Sequence, residues 1–473
     1  MRTGKTSGPA PLGRFEDADY RGYGIRPGAE SDEELTRIGP GTRCGEYLRR
    51  FWHPVALSSE LAGRPVALRI LGEDLVAFRD GEGRAGLVHR RCPHRRASLE
   101  YGTCQARGIR CCYHGWHFDV DGTLLEAPGQ PLEAQVRLKH RVRLGAYPAF
   151  EYQGLVFAYL GPPEKMPEFP VFDTCELPGM EMVPYRAPFR CNWLQVLDAI
   201  LDPIHTSFLH SSISREQFSA GFGEIGRIDF FERDAWLMGT NTRRVGGNVW
   251  FRVNELVLPN FTQAGAAFAA DGTKPRYYGR TAFVRWVVPV DDENTVALAW
   301  ACFGDRGDPP EWNTPEGPEL IEQGEVFDRT YEQRQRFPGD AEAVEGMGRI
   351  TVHAEEHLAP SDKGVALMRR RLREQVRIVS AGEHPLQVTD LASNPIPTYG
   401  GDSVLALPRD GEADESGRFS QLAHAFMQMQ FDADGLPEPE RVAFVTECLK
   451  ALEANGGMHD ASVPARPVAG ASP

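Results

Sequence analysis

"RCPHRRASLEYGTCQARGIRCCYHGWHF", residues 91–118, contains two short pairings of cysteine with histidine. Cys92-Pro93-His94 comes first, and Cys111-Cys112-Tyr113-His114 follows after sixteen residues. The sequence before this stretch reads as short strands turned at "LGED" and "DGEGR", and strand-like pieces continue through "GLVFAYLGPP", which places both pairs in loops of a β-rich unit. Nine cysteines, an odd set scattered over 473 residues, do not make a disulfide framework. Thiols clustered beside imidazoles point to metal instead.

Two metals compete for such a donor set. Zinc sites usually group cysteine with cysteine and histidine with histidine, whereas each short pair here is mixed. A Rieske 2Fe-2S centre needs two thiolates on one iron and two imidazoles on the other, and two loops giving one of each meet that need. Cys92, His94, Cys111 and His114 are therefore the candidate cluster ligands. Cys111 stands at the C-x-x-H offset, so Cys112 beside it is expected to pack as a small hydrophobe, and His117 is expected to be a bystander. Gly115 and Trp116 fit a tight, shielded turn. Arg90, Arg91, Arg95 and Arg96 form a basic collar that suits an acidic electron donor, the cluster's own charge, or simply solvent.

The length predicts more than one domain. A formal charge of −14 disfavours nucleic acid and anionic membrane surfaces as partners. The start shows no signal-peptide pattern and no later run is apolar enough to span a membrane, so the cytoplasm is the expected location. The fold class expected is α+β: an N-terminal all-β unit, then a unit with an antiparallel sheet flanked by helices. Residues 1–35 read as a flexible arm, 36–165 as the cluster domain, 166–400 as the second domain, and 401–473 as a C-terminal extension ending in the Pro/Ala/Gly tail "ASVPARPVAGASP". Helices are expected early in "TRCGEYLRRFWHPVAL", over 192–210 and over 318–336. Another is expected in "SDKGVALMRRRLREQVRIVSAG", with Ser361 as N-cap, Gly382 near its end and a solvated arginine face. "WLMGTNTRRV", "NVWFRVNELVL" and "RTAFVRWVVPV" read as strands.

A second constellation lies in "NWLQVLDAILDPIHTSFLH", residues 192–210. Asp198, Asp202 and His205 share one helical face. His210 is five residues past His205, about 140° away at 3.6 residues per turn, so joint ligation requires a bulge or a helix end between them. Two imidazoles and a carboxylate suit non-haem iron. Asp202 is placed either to bind or to hydrogen-bond the His205 ring.

"CPHRRASLEYG", "CCYHGWHFDVDG" and "LDPIHTSFLH", in this order, resemble the α (oxygenase) subunit of Rieske non-haem iron aromatic ring-hydroxylating oxygenases. The branch nearest in pattern is that of phthalate dioxygenase and the aromatic O-demethylases, and the resemblance covers about residues 35–400. "FPGDAEAVEGMGRITVHAEEHLAPSDKGVALMRRRL" is a weaker further anchor. The resemblance implies that Cys92, His94, Cys111 and His114 carry the cluster and that His205, His210 and Asp340 hold a mononuclear Fe(II), with Glu342 ranked after Asp340. It also makes Asp202 the carboxylate that bridges cluster and iron across a head-to-tail homotrimer. Electrons would come from NADH or NADPH through a separate flavin reductase, with or without a ferredoxin, and dioxygen would enter an aromatic substrate. Two departures stand out: Arg96 occupies a position where the family commonly has glycine, and "RFPG" precedes Asp340 in place of a glutamine-bearing context.

The strand-like "NVWFRVNELVLPNFTQ" is expected to line the substrate pocket, with Trp250, Asn254 and Leu256 on one face and Arg252 or Arg215 available for a substrate carboxylate. One GxGxxG, Gly221 to Gly226, lacks the strand before and helix after that a dinucleotide site needs, and reads as a loop. Oxidative O-demethylation is the alternative within enzymes. A non-catalytic Rieske electron carrier or a zinc-stapled binding protein is the alternative outside them.

Overall fold

The computed structural model describes residues 28 and 30–458, apart from 214–219, 266–271, 305–328, 410 and 412–413. Short β-branched and aromatic runs between glycine turns form three small antiparallel sheets in the first part of the chain. Trp52–Leu57, Leu155–Tyr159 and Ala149–Tyr152 make one. Val66–Ile70, Glu73–Arg79, Ala85–His89 and Ala146–Tyr147 make the next. The last, of Thr103–Cys104, Ile109–Arg110, His117–Phe118 and Leu124–Glu126, supports the cysteine–histidine loops. Beneath those loops Val76, Phe78, Val88, Leu99, Ile109 and Phe118 form a core of their own.

The second unit is built on a larger antiparallel sheet ordered Met180–Phe189, Asn294–Gly304, Thr281–Asp291, Phe261–Gly265, Asn248–Val257, Trp236–Val245, Arg227–Arg233. The three strands read from the sequence are all in it. The sheet forks: Val249 to Val253 pair with Gly401–Leu405, whereas Asn254 to Val257 pair with Phe261–Gly265. At the fork the backbones nearly touch, and a Cβ on Gly265 would lie 2.6 Å from the Gly401 carbonyl oxygen, so only glycine fits.

Period-2 alternation sends Trp250, Arg252, Asn254 and Leu256 to one face of this sheet. The helical segment from Trp193 lies there, and the Asn254 amide donates to the Ile200 carbonyl at 3.2 Å. The other face receives the first unit. Phe157 meets Trp286 edge to face at 5.2 Å, and the Trp300 indole donates to the Gln153 carbonyl at 2.8 Å. His53 is sealed into the same junction, its Nε2 bonded to the Leu48 carbonyl at 2.7 Å and its Nδ1 3.3 Å from the Asn260 amide. Burial pushes the His53 imidazole down to about 4.

Several boundaries differ from the sequence reading. The arm expected over 1–35 is already packed at Glu33–Thr36, a helical turn with Leu35 and Thr36 buried; residues 1–27 lie outside the described part. The extension expected from 401 begins as a strand inside the sheet. Ser416–Asp432 then packs on it, with Phe426 5.5 Å from Phe251. The strand "GDSVL" is too short to show a period, and its place becomes clear only through its partners. Residues 318–328 and the tail 461–473 lie outside the described residues, and Tyr331–Arg336 is a short helix capped by Thr330.

Asp362, one residue past Ser361, stands at the N-cap position of the Lys363–Ser380 helix without a side-chain capping bond, its carboxylate accepting from Ala359 N instead, and Gly382 follows the helix end at φ 87°. Its arginine face is not simply solvated. Arg369 is buried between Asp198 and Glu356, Arg373 pairs with Asp32, and Arg377 holds Glu34 at 2.8 Å. Helical periodicity shows that these side chains lie together, but the acids they meet come from distant segments.

Candidate active site

The two cysteine–histidine loops repeat one backbone design. Cys92 N donates to Ala97 O and Arg96 N to Cys92 O; Cys111 N donates to Trp116 O and Gly115 N to Cys111 O. In each loop the fourth residue after the cysteine takes a left-handed conformation, Gly115 at φ 70° and Arg96 at φ 64°. Arg96 thus adopts glycine's geometry with a Cβ attached, at a cost of about 1 kcal/mol. The Cys92 and Cys111 thiols are both buried and interact with each other. Burial pushes the Cys92 thiol up to about 11, while the His94 and Arg95 backbone N–H groups work the other way by donating to its sulfur.

The imidazoles of His94 and His114 lie 4.5 Å apart, nearer the surface than the sulfurs, and Trp116 stacks flat on His94 at 4.4 Å. His94 Nδ1 is buried and makes no hydrogen bond, which suits a ring reserved for a metal. Burial, then His114 and Arg95, lower the His94 pKa and leave the ring neutral, the form that ligates. Paired thiols inside and paired imidazoles outside fit the donor set of a Rieske cluster. Cys112 is exposed rather than packed, because the loop tip turns its side chain outward. His117 is buried against the Arg107 carbonyl. Of the basic collar, Arg90 is engaged by Glu100 at 2.7 Å and Arg95 lies over the Tyr113 ring at 5.6 Å.

Around the second constellation the helix changes character twice. Trp193–Asp198 passes through a 3-10 turn, breaks at Asp202-Pro203, resumes as Ile204–Phe208 and widens into a π-turn over Leu209–Ile213. That wide turn supplies the bulge needed to bring His210 round to His205. Asp340 opens the Asp340–Gly346 helix across from them. One donor atom from each of His205, His210 and Asp340 lies within 4.8 Å of the others, and Asp340 Oδ1 is 3.5 Å from His205 Nε2 and 3.4 Å from His210 Nε2. Burial alone would raise the Asp340 carboxyl, but His210, His205 and Arg285 hold it well below the usual range and ionised. Two imidazoles and one carboxylate on one side of a site fit a facial iron triad.

Asp202 stands outside that triad. Its backbone carbonyl accepts a hydrogen bond from His205 Nδ1, which leaves Nε2 free for a metal. Its carboxylate lies 3.8 Å from the same nitrogen and is about one-third exposed. Glu342 turns away: it accepts from Gly339 N at 2.9 Å and pairs with Arg329 at 2.6 Å. Asp340 is brought to the histidines by Gln195, a residue the sequence did not single out. Gln195 Nε2 donates to the Val344 and Gly348 carbonyls at 2.8 and 3.0 Å, and its Oε1 accepts from Thr351 N at 2.9 Å. No spacing rule could have revealed it, since every partner is a backbone group far away in sequence.

Trp250, Asn254 and Leu256 do share a face, and Arg252 is on it too. Arg215 lies outside the described residues. The GxGxxG stretch forms a 3-10 turn, Ala220–Gly223, leading into the strand Arg227–Arg233, as expected of a loop.

Comparison with known proteins places this geometry in a family. Residues 51–139 match the model of the Rieske [2Fe-2S] domain. The chain is 43% identical over 464 residues to the tert-butanol monooxygenase / tert-amyl alcohol desaturase oxygenase subunit of Aquincola tertiaricarbonis, covering 92% of this chain and 97% of that one. It is 40% identical over 392 residues to the phenoxybenzoate dioxygenase subunit alpha of Ectopseudomonas oleovorans, covering 79% and 91%. The crystal structure of dicamba monooxygenase bound to dicamba superposes with a TM-score of 0.55 at 18% identity over 71% of this chain and 99% of that one, which speaks to the fold. The chain belongs to the Rieske non-haem iron oxygenases and is an oxygenase α subunit. Among the described residues no helix is long and apolar enough to cross a membrane.

Proposed function

We propose that this chain is the terminal component of a multicomponent oxygenase, which uses dioxygen and externally supplied electrons to hydroxylate an aromatic substrate at a mononuclear iron. The observation that carries this is the convergence of His205, His210 and Asp340 from separate segments onto one point. Cys92 and Cys111 would hold one iron of the cluster, His94 and His114 the other, and His205, His210 and Asp340 the mononuclear Fe(II). When bound, the cluster supplies single electrons and the mononuclear iron supplies dioxygen activation beside the substrate.

The chain's own residues do the rest. The Asp202 carbonyl fixes the His205 tautomer. His94, His114 and the Asp202 carboxylate are each partly exposed. That arrangement supports transfer between subunits of a head-to-tail homotrimer, with Asp202 as the bridge. Electrons would reach the cluster from NAD(P)H through a flavin reductase, alone or with a ferredoxin, in the cytoplasm. Tyr185, Ala299, Ala301 and Phe303 form an apolar patch on the sheet face that carries Asn254, and this suits an aromatic ring. Within this reading residues 36–165 bear the cluster and residues from 166 bear the iron.

Metal analysis of the purified chain tests the proposal, with about three irons per chain and little zinc expected. A protein with cluster iron alone would be an electron carrier, and one with zinc a stapled binding protein. Turnover with labelled dioxygen then separates the chemistries. Ring dihydroxylation places both labelled atoms in the product, whereas O-demethylation leaves one in formaldehyde.

A further inference from the structure

The cluster domain presents a helix whose outer face is left to solvent. Leu132–Arg141 follows the strand Leu124–Glu126 of the sheet that supports the cysteine–histidine loops. On its inner side Leu138 and Val142, four residues apart, pack against the core that includes Cys92, Cys111 and Trp116, yet no residue of the helix is itself buried. Leu132 and Val136, also four apart, are 77% and 53% exposed. Together with Lys139 and His140 they share about 100° of the helix surface.

This face reverses the character of the chain. Arg137, Lys139, His140 and Arg141 are exposed, and among the described residues none of the four forms an ion pair; Lys139 acts on Glu126 only through its charge. Glu133 is the one acid between Leu132 and Arg143. A protein of net charge −14 thus gathers unpaired cations beside two exposed apolar side chains on one short surface. An apolar centre with a charged rim is how a specific contact with another protein is built, and a local field of this sign attracts an acidic partner.

The helix is tied to the cluster loops. Glu126, at the end of the strand before it, pairs with Arg110 at 2.7 Å, and Arg110 Nη1 donates to the Gly115 carbonyl at 2.8 Å. Pro128 closes on the same glycine: a Cβ on Gly115 would lie 2.9 Å from Pro128 Cγ. Gly115 directly follows His114, so the segment that launches the helix touches a candidate ligand loop. In the reading above, His94 and His114 pass electrons on to the neighbouring subunit. Electrons arriving from outside then need another face of the same small domain, and Arg95 and Arg96, in the His94 loop, would be covered together with that exit.

We infer that the outer face of Leu132–Arg141 is the docking surface for an acidic iron–sulfur protein that donates single electrons. Arg137, Lys139, His140 and Arg141 meet its carboxylates, and Leu132 and Val136 seat it. Each encounter moves one electron: the donor's reduced centre is oxidised and this chain's cluster is reduced. The later use of that electron on dioxygen rests on the oxygenase reading above; the docking does not.

Calorimetric titration of the oxidised holoenzyme with an oxidised plant-type 2Fe-2S ferredoxin, an acidic one-electron carrier, tests the assignment. Binding should weaken at least about tenfold between about 50 and about 300 mM NaCl. Arg137→Glu/Lys139→Glu should weaken it about tenfold at the lower salt and slow cluster reduction by reduced ferredoxin in stopped flow. Reduction by dithionite, the visible spectrum, Tm and oligomeric mass should stay as in the wild type. Leu132→Ala/Val136→Ala should weaken binding about threefold at either salt. Glu133→Lys adds a cation to the same face and should tighten binding about threefold at the lower salt, so that gain is read as well as loss.

Absence of binding at low salt overturns the inference, as does binding indifferent to salt or unchanged in the charge-reversed variant. A changed oligomeric mass in that variant would assign the helix to a contact between copies of this chain, with the same result. Mononuclear iron and product are read separately: ferredoxin binding and cluster reduction without either would sink the oxygenase reading alone.

Discussion

The two candidate metal sites are built in opposite ways. Each cluster loop closes on itself through the same pair of backbone hydrogen bonds, and its two donors lie two or three residues apart. The triad instead joins a π-turn to the start of a helix that, among the described residues, comes after another seven strands, and Gln195 holds the two in register. A local site tolerates loss of its surroundings but not of its ligands. A site assembled from afar is lost when a supporting residue is lost, even with every ligand in place.

The largest effect should separate the paired cysteines. Cys111→Ser is expected to abolish the visible and electron paramagnetic resonance signatures of the cluster while the mononuclear iron remains, whereas Cys112→Ser, at an exposed position, should leave both signatures near wild type. Gln195→Leu should do the reverse. It leaves the carbonyls of Val344 and Gly348 without their donor, destabilises the fold by about 2–4 kcal/mol, and lowers mononuclear iron content while the cluster spectrum stays. If iron content is unchanged in that variant, the contrast between local and assembled sites is wrong.

A smaller effect is expected at Asp202. Because its carbonyl rather than its carboxylate holds His205, Asp202→Asn should keep both metals and slow only the oxygenation rate, measured in single turnover. Loss of iron would make the carboxylate a ligand after all.

The junction between the units provides a pH test. His53 is buried with its pKa lowered from 6.5 to about 4, so the unfolded state takes up the proton first. The stability that the neutral ring confers is complete above pH 6.5 and is lost as pH falls toward 4, by up to about 3 kcal/mol. His53→Gln should flatten that slope in denaturant melts. The smallest change is Arg96→Gly, which should relieve the left-handed strain and raise stability by about 1 kcal/mol with the cluster spectrum unaltered.

What could be read in advance follows the same division. The candidate cluster donors stand out because a few covalent bonds fix their offsets, and the need for a bulge or a helix end between His205 and His210 follows from helical geometry alone. Asp340 came only through resemblance, since nothing near it in sequence announces a partner so far away. Cys112 was misread because burial preference says nothing about a loop tip. The arginines of the Lys363–Ser380 helix were misread because their acids, Asp32, Glu34, Asp198 and Glu356, converge only in three dimensions. Gln195 was invisible for a related reason: its partners are main-chain groups, which every residue type supplies.

The packed turn Glu33–Thr36 has a practical consequence. It precedes the cluster unit in the chain, yet the Trp193 indole donates to the Leu35 carbonyl and the Asn192 amide to the Thr36 carbonyl, each at 2.9 Å. A chimaera spliced only near residue 165 would therefore place a foreign strap under the histidine-bearing helix. Designers exchanging redox modules between relatives should cut twice and retain residues 32–38 with the recipient's catalytic half.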